Sequence, residues 1–324
     1  MFIIAVIGAG QLGSRHLQAL ARLKSRASIE VVDSCASSLK RAQARFEEIP
    51  NNPNIFGVRY CQSLNDLSHR LDLVIIATNS DVRATVIASL LLTHHVANLV
   101  LEKVLFQRIE DYLNISRLLS QKKLNVWVNH ARRVYPYYRG LKALFNESGP
   151  VACVVTGGGW GLASNGLHFI DLLAYLTGCN ALAVDATGLR SGVWPGKRLG
   201  YLEVIGELTG SLGDNNFELI CEPEVKPLII EIRTDKLRVV IDEESECVCT
   251  ASLDTNWAWS KRSEKIVYAQ SELTGILAEE ILLTNACNLP TFEEAIRLHT
   301  PFIEALLTHF SSQSDVPQTA CPIT

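Results

Sequence analysis

The chain has 324 residues, a hydrophobic content of 48% and a formal net charge of −4, which describe a globular protein with enough residues for two domains. The charge balance offers no basic excess to hold nucleic acid, and the longest apolar runs are strand-sized, too short to cross a membrane. Nine cysteines are scattered along the chain without the ligand spacing of a zinc site, so we expect reduced thiols and no metal.

The first 33 residues have the pattern of a dinucleotide-binding unit. An apolar run over residues 3–7 predicts a strand buried on both faces. It leads through a glycine-rich turn at 8–13 into an amphipathic helix over 14–23. A second apolar strand at 29–32 ends on Asp33, which lies 20 residues after the last glycine of the turn. Strand, glycine turn, helix, strand and acid together indicate nucleotide binding.

Each part of this unit has a physical role. Gly8 permits a tight turn, Gly10 lets backbone approach a pyrophosphate, and Gly13 lets the helix pack closely on the strand. The helix N-terminus presents unpaired N–H groups to the phosphates. Asp33 can accept hydrogen bonds from the adenosine ribose and would repel a 2′-phosphate, which favours NAD over NADP. The alternative is a structural turn in a domain that has lost its ligand. The predicted cofactor contacts here are Gly8, Gly10, Gln11, Leu12, Gly13 and Asp33.

Strands and helices alternate over the rest of the first 130 residues. Further strands are predicted at 58–60, 72–78, 98–101 and 124–128, and helices at 37–48, 64–71, 85–92 and 109–119. This alternation predicts a doubly wound parallel sheet, whose ligands collect at the carboxyl ends of the strands. The residues at those ends complete the predicted cofactor contacts: Thr78, Asn79, Glu102, Lys103 and Asn129.

From residue 134 the pattern changes. A helix at 138–145, a strand at 151–156 and a helix at 166–176 precede strand-like stretches without helices between them, at 183–189, 201–208, 217–222, 228–233, 237–241 and 247–251. Two helices follow, near 271–284 and 292–307. The fold class is therefore α/β, with a Rossmann domain over 1–130 and a second domain over 131–310 that contains a large, mostly antiparallel open sheet. We expect residues 311–324 to be a loose tail.

Four segments carry a family resemblance. They are the glycine turn with His16 after it, Glu102-Lys103, the strand end at 129–133, and His168-Phe169-Ile170-Asp171. Their order and spacing resemble the Gfo/Idh/MocA family, the glucose-fructose oxidoreductase and inositol dehydrogenase group, over nearly the whole chain. The resemblance implies a Rossmann domain over 1–130 and a C-terminal α/β domain over 131–310 for substrate binding and oligomerisation, whose open sheet often forms the oligomer interface. It also implies NAD(P)-dependent oxidation or reduction at a sugar or cyclitol carbon.

The chain departs from the family pattern at two positions. Val104 stands where the family usually has a proline, often in a cis peptide. Because a cis bond before a non-proline residue costs about 3–4 kcal/mol, we expect a trans link and a slightly different position for Lys103. The family's usual catalytic aspartate, four residues before His168, is replaced by Ser164, and Asn165 follows. Neither side chain can take up a proton as a carboxylate does.

Hydride transfer to or from a carbinol carbon requires a group that takes or gives the hydroxyl proton. Lys103, at a strand's carboxyl end, is the predicted acid–base residue, and the alternative is a surface lysine paired with Glu102. His168 is the predicted proton relay, and the alternative is a core histidine on an apolar helix. Asp171 shares the helix face of His168, where it can orient the ring, bind a substrate hydroxyl or form a salt bridge.

The remaining predicted contacts are with the substrate. Trp160, in a glycine run, can stack on a sugar face, although the run can also be an irregular strand end. Arg132 and Arg133 can bind a phosphate or carboxylate, or form a domain-linking salt bridge. The predicted substrate contacts are Asp171, Asn165, Trp160, Arg132 and Arg133.

The sequence therefore predicts an NAD-dependent oxidoreductase that acts on a sugar or sugar nucleotide, acidic sugars included. An NAD(H)-binding regulator or sensor without turnover is the alternative, because Ser164 replaces the family's aspartate. A reductase of an imine or a tetrapyrrole is a third possibility. We expect no nucleic-acid or membrane partner, and a homodimer or homotetramer that covers the open C-terminal sheet. The N-terminus has no signal-peptide pattern, so we expect a cytoplasmic protein.

Overall fold

The computed structural model describes residues 1–145 and 149–324. The chain divides into two compact units. The first unit comprises Met1–Phe106, Glu110–Asn129 and Tyr268–Phe292, and the second comprises Gln107–Ile109, His130–Val267 and Glu293–Thr324. Among the described residues, no helix is long and apolar enough to cross a membrane.

The first unit is built on a parallel sheet. Its strands are β1 (Phe2–Ile7), β2 (Ala27–Val32), β3 (Ile55–Cys61), β4 (Arg70–Leu71), β5 (Leu73–Ile76), β6 (His95–Val96), β7 (Asn98–Leu101) and β8 (Asn125–Val128). Six of them form one sheet in the order β3-β2-β1-β5-β7-β8, and all its neighbours run parallel. Strands β5 and β7 are buried along their whole length, as expected when both faces are covered. The predicted doubly wound sheet is confirmed, and its order reverses beside β1, where such sheets bind ligands.

The helices are α1 (Gln11–Leu20), α2 (Ala36–Glu47), α3 (Ser80–Thr93), α4 (Ile109–Ser120), α5 (Pro136–Lys142), α6 (Leu162–Thr177), α7 (Gln270–Thr284) and α8 (Phe292–Ser312). The helix predicted over residues 64–71 is not formed. Residues 64–71 form a 3-10 turn over Leu64–Asp66 and then β4, because Leu71 pairs with Val96 of β6.

Helix α7 belongs to the first unit, although the sequence predicted 131–310 as one domain. His16 Nδ1 on α1 lies 2.8 Å from Thr274 Oγ1 on α7. The two helices approach closely because Gly275 has no side chain: a Cβ there would lie 2.7 Å from the carbonyl oxygen of Ala19. Because α7 packs on α1, the segment Tyr268–Phe292 belongs to the first unit.

The second unit contains a large mixed sheet. Its strands are β9 (Ala152–Gly158), β10 (Leu182–Asp185), β11 (Trp194–Pro195), β12 (Leu202–Glu203), β13 (Gly206–Leu212), β14 (Asn215–Glu222), β15 (Lys226–Arg233), β16 (Leu237–Asp242), β17 (Cys247–Ser252) and β18 (Ser260–Ser263). Eight of them are ordered β10-β13-β14-β9-β15-β16-β17-β18, and only the β9–β14 pair among these is parallel. The predicted large, mostly antiparallel sheet is confirmed.

The end of the chain is fixed, in contrast to the loose tail that the sequence predicted. Cys321 and Ile323 are fully buried. The backbone N–H of Cys321 donates to the carbonyl of Gln107 at 2.8 Å, and that of Leu202 donates to the carbonyl of Pro322 at 2.7 Å. Two apolar side chains and these backbone bonds therefore anchor the final residues within the second unit.

Candidate active site

The glycine turn after β1 brings backbone segments of the first unit into close approach. Gly8 has a φ of +91°, and a Cβ there would lie 2.8 Å from the backbone of Ala77 and Thr78. A Cβ on Gly13 would lie only 1.7 Å from the carbonyl oxygen of Gly8. A Cβ on Gly10 would meet no protein atom within 4 Å. The fold therefore requires Gly8 and Gly13, whereas Gly10 borders open space.

This difference predicts opposite results for two alanine substitutions. Gly13→Ala is expected to destabilise the protein by at least ~2 kcal/mol, because a backbone carbonyl must move to admit the methyl group. Gly10→Ala is expected to leave stability unchanged and to weaken NADH binding at least ~10-fold, because its methyl group would lie where the pyrophosphate of the cofactor approaches the protein backbone. Urea unfolding and NADH fluorescence titrations measure both quantities. Wild-type affinity in Gly10→Ala would show that no pyrophosphate lies against Gly10.

A cavity of about 530 Å³ opens beside this turn. Five predicted cofactor residues line it: Gly8, Gly10, Asp33, Thr78 and Asn79. The carboxylate of Asp33 is fixed at its rim, since it accepts the backbone N–H of Ala9 at 2.7 Å and that of Cys35 at 2.8 Å. The described lining contains neither lysine nor arginine. Other lining residues, among them Ser34, Ser38, Gln62 and Val82, could not be predicted because they follow strands or lie on helices without a distinctive motif.

The other residues of the turn lie at the start of α1. Gln11 is exposed and accepts hydrogen bonds from Arg45, at 2.6 Å through its side chain and at 2.9 Å through its carbonyl. Leu12 is half-buried in the same helical turn. The N-cap residue of α1 is Gly10, which has no side chain to cap the helix. The first backbone N–H groups of the helix are therefore suited to bind an anionic ligand such as a pyrophosphate.

Glu102 and Asn129, both predicted to contact the cofactor, are buried and hydrogen-bonded to each other. Glu102 is 4% exposed, and its Oε1 accepts from His16 Nε2 at 2.9 Å and from Asn129 Nδ2 at 2.5 Å. Burial raises the pKa of Glu102, but the hydrogen bonds from His16 and Asn129 lower it by more. The net pKa therefore lies below the usual value of a glutamate, and the carboxyl group is ionised. The hydrogen bond between these two side chains therefore joins the ends of β7 and β8.

Lys103 is half-buried directly after β7. The Lys103–Val104 peptide bond is cis, so the expectation of a trans link was wrong. The conformation of this backbone is held by its surroundings: Val104 and Leu105 are fully buried, and the carbonyls of both accept hydrogen bonds from the buried guanidinium of Arg83. Proline is thus not needed for the cis geometry here.

A separate cavity of about 400 Å³ lies within the second unit. It brings together three of the predicted substrate residues, Arg132, Trp160 and Asn165. Trp160 Nε1 donates to the carbonyl of Ile220 at 2.9 Å, and Asn165 Nδ2 donates to the carbonyl of Trp160 at 2.7 Å. These bonds fix the indole on the wall of the cavity. The sequence analysis missed the other lining residues, which are Phe169, Leu228, Glu243, Glu244 and Val267.

Arg132 forms an ion pair with Glu243 inside this cavity. Its Nε and Nη2 donate to the two carboxylate oxygens of Glu243 at 2.9 and 2.5 Å, and its guanidinium lies 4.3 Å above the Phe169 ring. Tyr138 also donates to Glu243, at 2.7 Å. Burial lowers the pKa of Arg132, but Glu243 raises it by more, so the guanidinium remains charged. The structure therefore favours the salt-bridge alternative, within the second unit, over a free anion site.

Arg133 and Asp171 form a second buried ion pair. Three hydrogen bonds of 2.8–3.0 Å join the guanidinium to the carboxylate, and the Asp171 side chain is completely buried. Burial raises the pKa of Asp171, although Arg133 opposes this effect. A role of Asp171 in binding a substrate hydroxyl does not fit this burial, and the salt-bridge alternative accounts for both residues.

His168 is half-buried on α6 and stacks on other histidines of the second unit. Its ring meets that of His130 edge to face at 5.3 Å, and His130 meets His299 in the same way at 5.4 Å. Ser164, at the position of the family's aspartate, lies in the first turn of α6. There the backbone N–H of Ser164 donates to the carboxylate of Glu203 at 3.3 Å. His168 is therefore the member of this histidine stack that reaches the surface of its unit.

The parallel sheet, the glycine turn and the acid at the end of β2 are the features of a Rossmann-type dinucleotide-binding domain. Residues 2–130 match the model of the Gfo/Idh/MocA oxidoreductase family, which describes an NAD-binding Rossmann fold. The resemblance that the sequence motifs carry is thereby confirmed. No curated protein matches the chain in sequence.

Solved structures extend the likeness over both units. A Gfo/Idh/MocA family oxidoreductase from Vibrio cholerae is 15% identical, with 97% of this chain and 99% of that chain covered and a TM-score of 0.69. UDP-N-acetylglucosamine 3-dehydrogenase GnnA from Acidithiobacillus ferrooxidans is 15% identical (94% and 96% covered, TM-score 0.66). A super-repressor mutant of Gal80p from Saccharomyces cerevisiae is 14% identical (96% and 96% covered, TM-score 0.70). These likenesses establish a shared fold.

Proposed function

We propose that this protein is an NAD-dependent oxidoreductase that transfers a hydride between nicotinamide and a carbinol or keto carbon of a sugar. The observation that carries the proposal is the cavity of the first unit, where Gly8, Gly10 and Asp33 meet at the switch point of the parallel sheet. The family model that matches this unit describes an NAD-binding fold. Bound NAD would supply the hydride acceptor, or in its reduced form the donor.

The choice of NAD over NADP rests on Asp33. Its carboxylate is fixed at the cavity by two backbone N–H groups and can accept hydrogen bonds from a ribose diol. A 2′-phosphate at the same place would bring two anions together, and the described cavity lining offers no lysine or arginine to offset their repulsion.

Lys103 and His168 are proposed to handle the proton. The ammonium of Lys103 can hydrogen-bond the reacting oxygen and exchange a proton with it, because an ammonium carries three donors on a flexible stem. Its backbone is held between buried neighbours. His168, the partly exposed member of the histidine stack, would relay the proton onward.

The cavity of the second unit is proposed to hold an uncharged sugar ring. Trp160 offers an aromatic wall for the ring's C–H face, and Asn165 and Glu243 offer polar groups for its hydroxyls. An acidic sugar is not favoured, since Arg132 and Arg133 are both engaged in ion pairs. The similar fold of a UDP-N-acetylglucosamine 3-dehydrogenase motivates testing nucleotide-linked sugars as well.

A regulator or sensor without turnover is the second candidate. It is favoured by Ser164, which places no carboxylate on the first turn of α6, while the nearby carboxylate of Glu203 accepts backbone N–H groups of the helix start. Gal80p, named as a repressor, has this fold.

Cofactor titrations and a substrate screen separate these candidates. NADH and NADPH are titrated by fluorescence, and free sugars, uronic acids and UDP-, GDP- and CMP-sugars are screened with NAD by absorbance of the reduced cofactor. We expect tighter binding of NADH and turnover of an uncharged sugar. Tight NADH binding without turnover of any compound would favour the regulator. A preference for NADPH would contradict the role of Asp33.

We also propose a homodimer or homotetramer formed through the open face of the eight-stranded sheet. A row across β9, β15 and β16 places Val154, Glu231 and Val240 side by side, all half-buried in the single chain. Covering the two valines of this row would favour association. Light scattering of the purified protein measures the assembly, and a monomer would contradict the proposal.

A further inference from the structure

Arg83 is a fully enclosed cation in the first unit. It lies in the first turns of α3 and is 1% exposed. Its guanidinium donates to three backbone carbonyls: Nη1 to Val104 and, at 3.0 Å, to Leu105, and Nη2 to Thr78. Burial of an arginine costs a large desolvation free energy unless its donors are satisfied. The carbonyls that accept from Nη1 and Nη2 belong to two separate segments.

These two segments carry predicted functional residues. Thr78 follows β5 and lines the cavity beside Gly8 and Asn79. Val104 and Leu105 directly follow Lys103 at the end of β7, which is the neighbour of β5 in the sheet. One rigid, planar group therefore joins the rim of the cavity to the backbone that carries the lysine. A lysine at position 83, a point charge on a flexible stem, could not reproduce this fork.

We propose that Arg83 is a positioning residue that fixes the backbone of Lys103 against the rim of the cofactor cavity. The proposal rests on the role given to Lys103 in the proposed function. It assigns Arg83 no contact with substrate or cofactor. Because a misplacement of about 1 Å can reduce a rate by ~100-fold, the loss of this fork is expected to appear in kcat.

The test uses Arg83→Lys, which keeps a buried cation, and Arg83→Gln, which keeps a hydrogen-bond donor. Leu90→Ala is the control, since Leu90 is a fully buried residue on the same helix and its truncation lowers stability by loss of packing. All variants are compared below their Tm. We expect kcat to fall ~100-fold in both Arg83 variants, with KM changed less than about twofold, and to stay near wild type in Leu90→Ala. Equal kcat in all three variants would overturn the proposal.

A second readout does not depend on turnover. Lysines are labelled by ¹³C reductive methylation, and the Lys103 signal is assigned as the one missing in Lys103→Met. We expect the Lys103 signal, and its response to NADH, to change in Arg83→Lys and to persist in Leu90→Ala. If no sugar is turned over, the proposed function fails, yet a displaced Lys103 signal would still support the positioning role. An unchanged signal in Arg83→Lys would overturn that role whatever the activity.

Discussion

Replacing Lys103 with methionine is expected to reduce turnover by at least ~100-fold, the size of effect that a positioned acid–base group typically provides. Methionine keeps an unbranched chain of similar length but can neither donate nor accept a proton. The backbone around position 103 should persist, because it is held by buried Val104 and Leu105. NADH binding is therefore expected to remain intact, and kcat and the NADH dissociation constant are the quantities to measure.

Lys123→Met is the matched control, since Lys123 is exposed beyond the end of α4. Its activity should equal that of the wild type. If Lys103→Met retained full activity as well, the acid–base assignment would be incorrect, and His168 would become the first alternative to test. A parallel loss of NADH binding in Lys103→Met would instead mean that the lysine holds the cofactor, and the loss of turnover would then carry no information about proton transfer.

The first unit could be predicted in detail because its determinants are local. The turn from β1 into α1 requires glycines at positions 8 and 13, where the structure leaves no room for a Cβ, and these constraints are visible within 13 residues of sequence. The parallel order of the strands follows from the alternation of strand and helix. The acid at the end of β2 follows from the same motif, and its carboxylate does border the predicted cavity.

The residues that the sequence could not place depend on partners far along the chain. Glu243 lies 111 residues from Arg132, and nothing in the local pattern around either one indicates their bidentate pair. Asp171 and Arg133 are 38 residues apart, and nothing in the local pattern around either one indicates that they form a buried ion pair. Helix α7 shows an apolar pattern that predicts burial but does not specify α1 as its neighbour.

The cis link after Lys103 illustrates the same limit. A proline at position 104 would have indicated a cis link in the sequence. Here the segment is instead surrounded by buried neighbours and contacts the guanidinium of Arg83, which lies 21 residues before Val104. Local propensity predicted the wrong isomer because tertiary contacts decide the conformation.

Removal of Arg133 is expected to be the most destabilising substitution in the second unit. Arg133→Met would leave the carboxylate of Asp171 fully buried without its three hydrogen bonds. Loss of one partner of a buried ion pair typically costs ~3–5 kcal/mol, because the remaining charge keeps its desolvation penalty. Urea unfolding measures this change, and Arg139→Ala, at an exposed position on α5, should alter stability by less than about 0.5 kcal/mol.

The double variant Arg133→Met, Asp171→Leu separates a structural role from a substrate-binding role. Because apolar residues of similar size can replace a buried ion pair at little cost, the double variant should recover most of the stability lost in Arg133→Met. If the pair is structural, as its burial indicates, the KM of the recovered protein for its sugar should match that of the wild type. A restored fold with a KM raised at least ~10-fold would show instead that Arg133 or Asp171 contacts the substrate, despite their burial within the second unit.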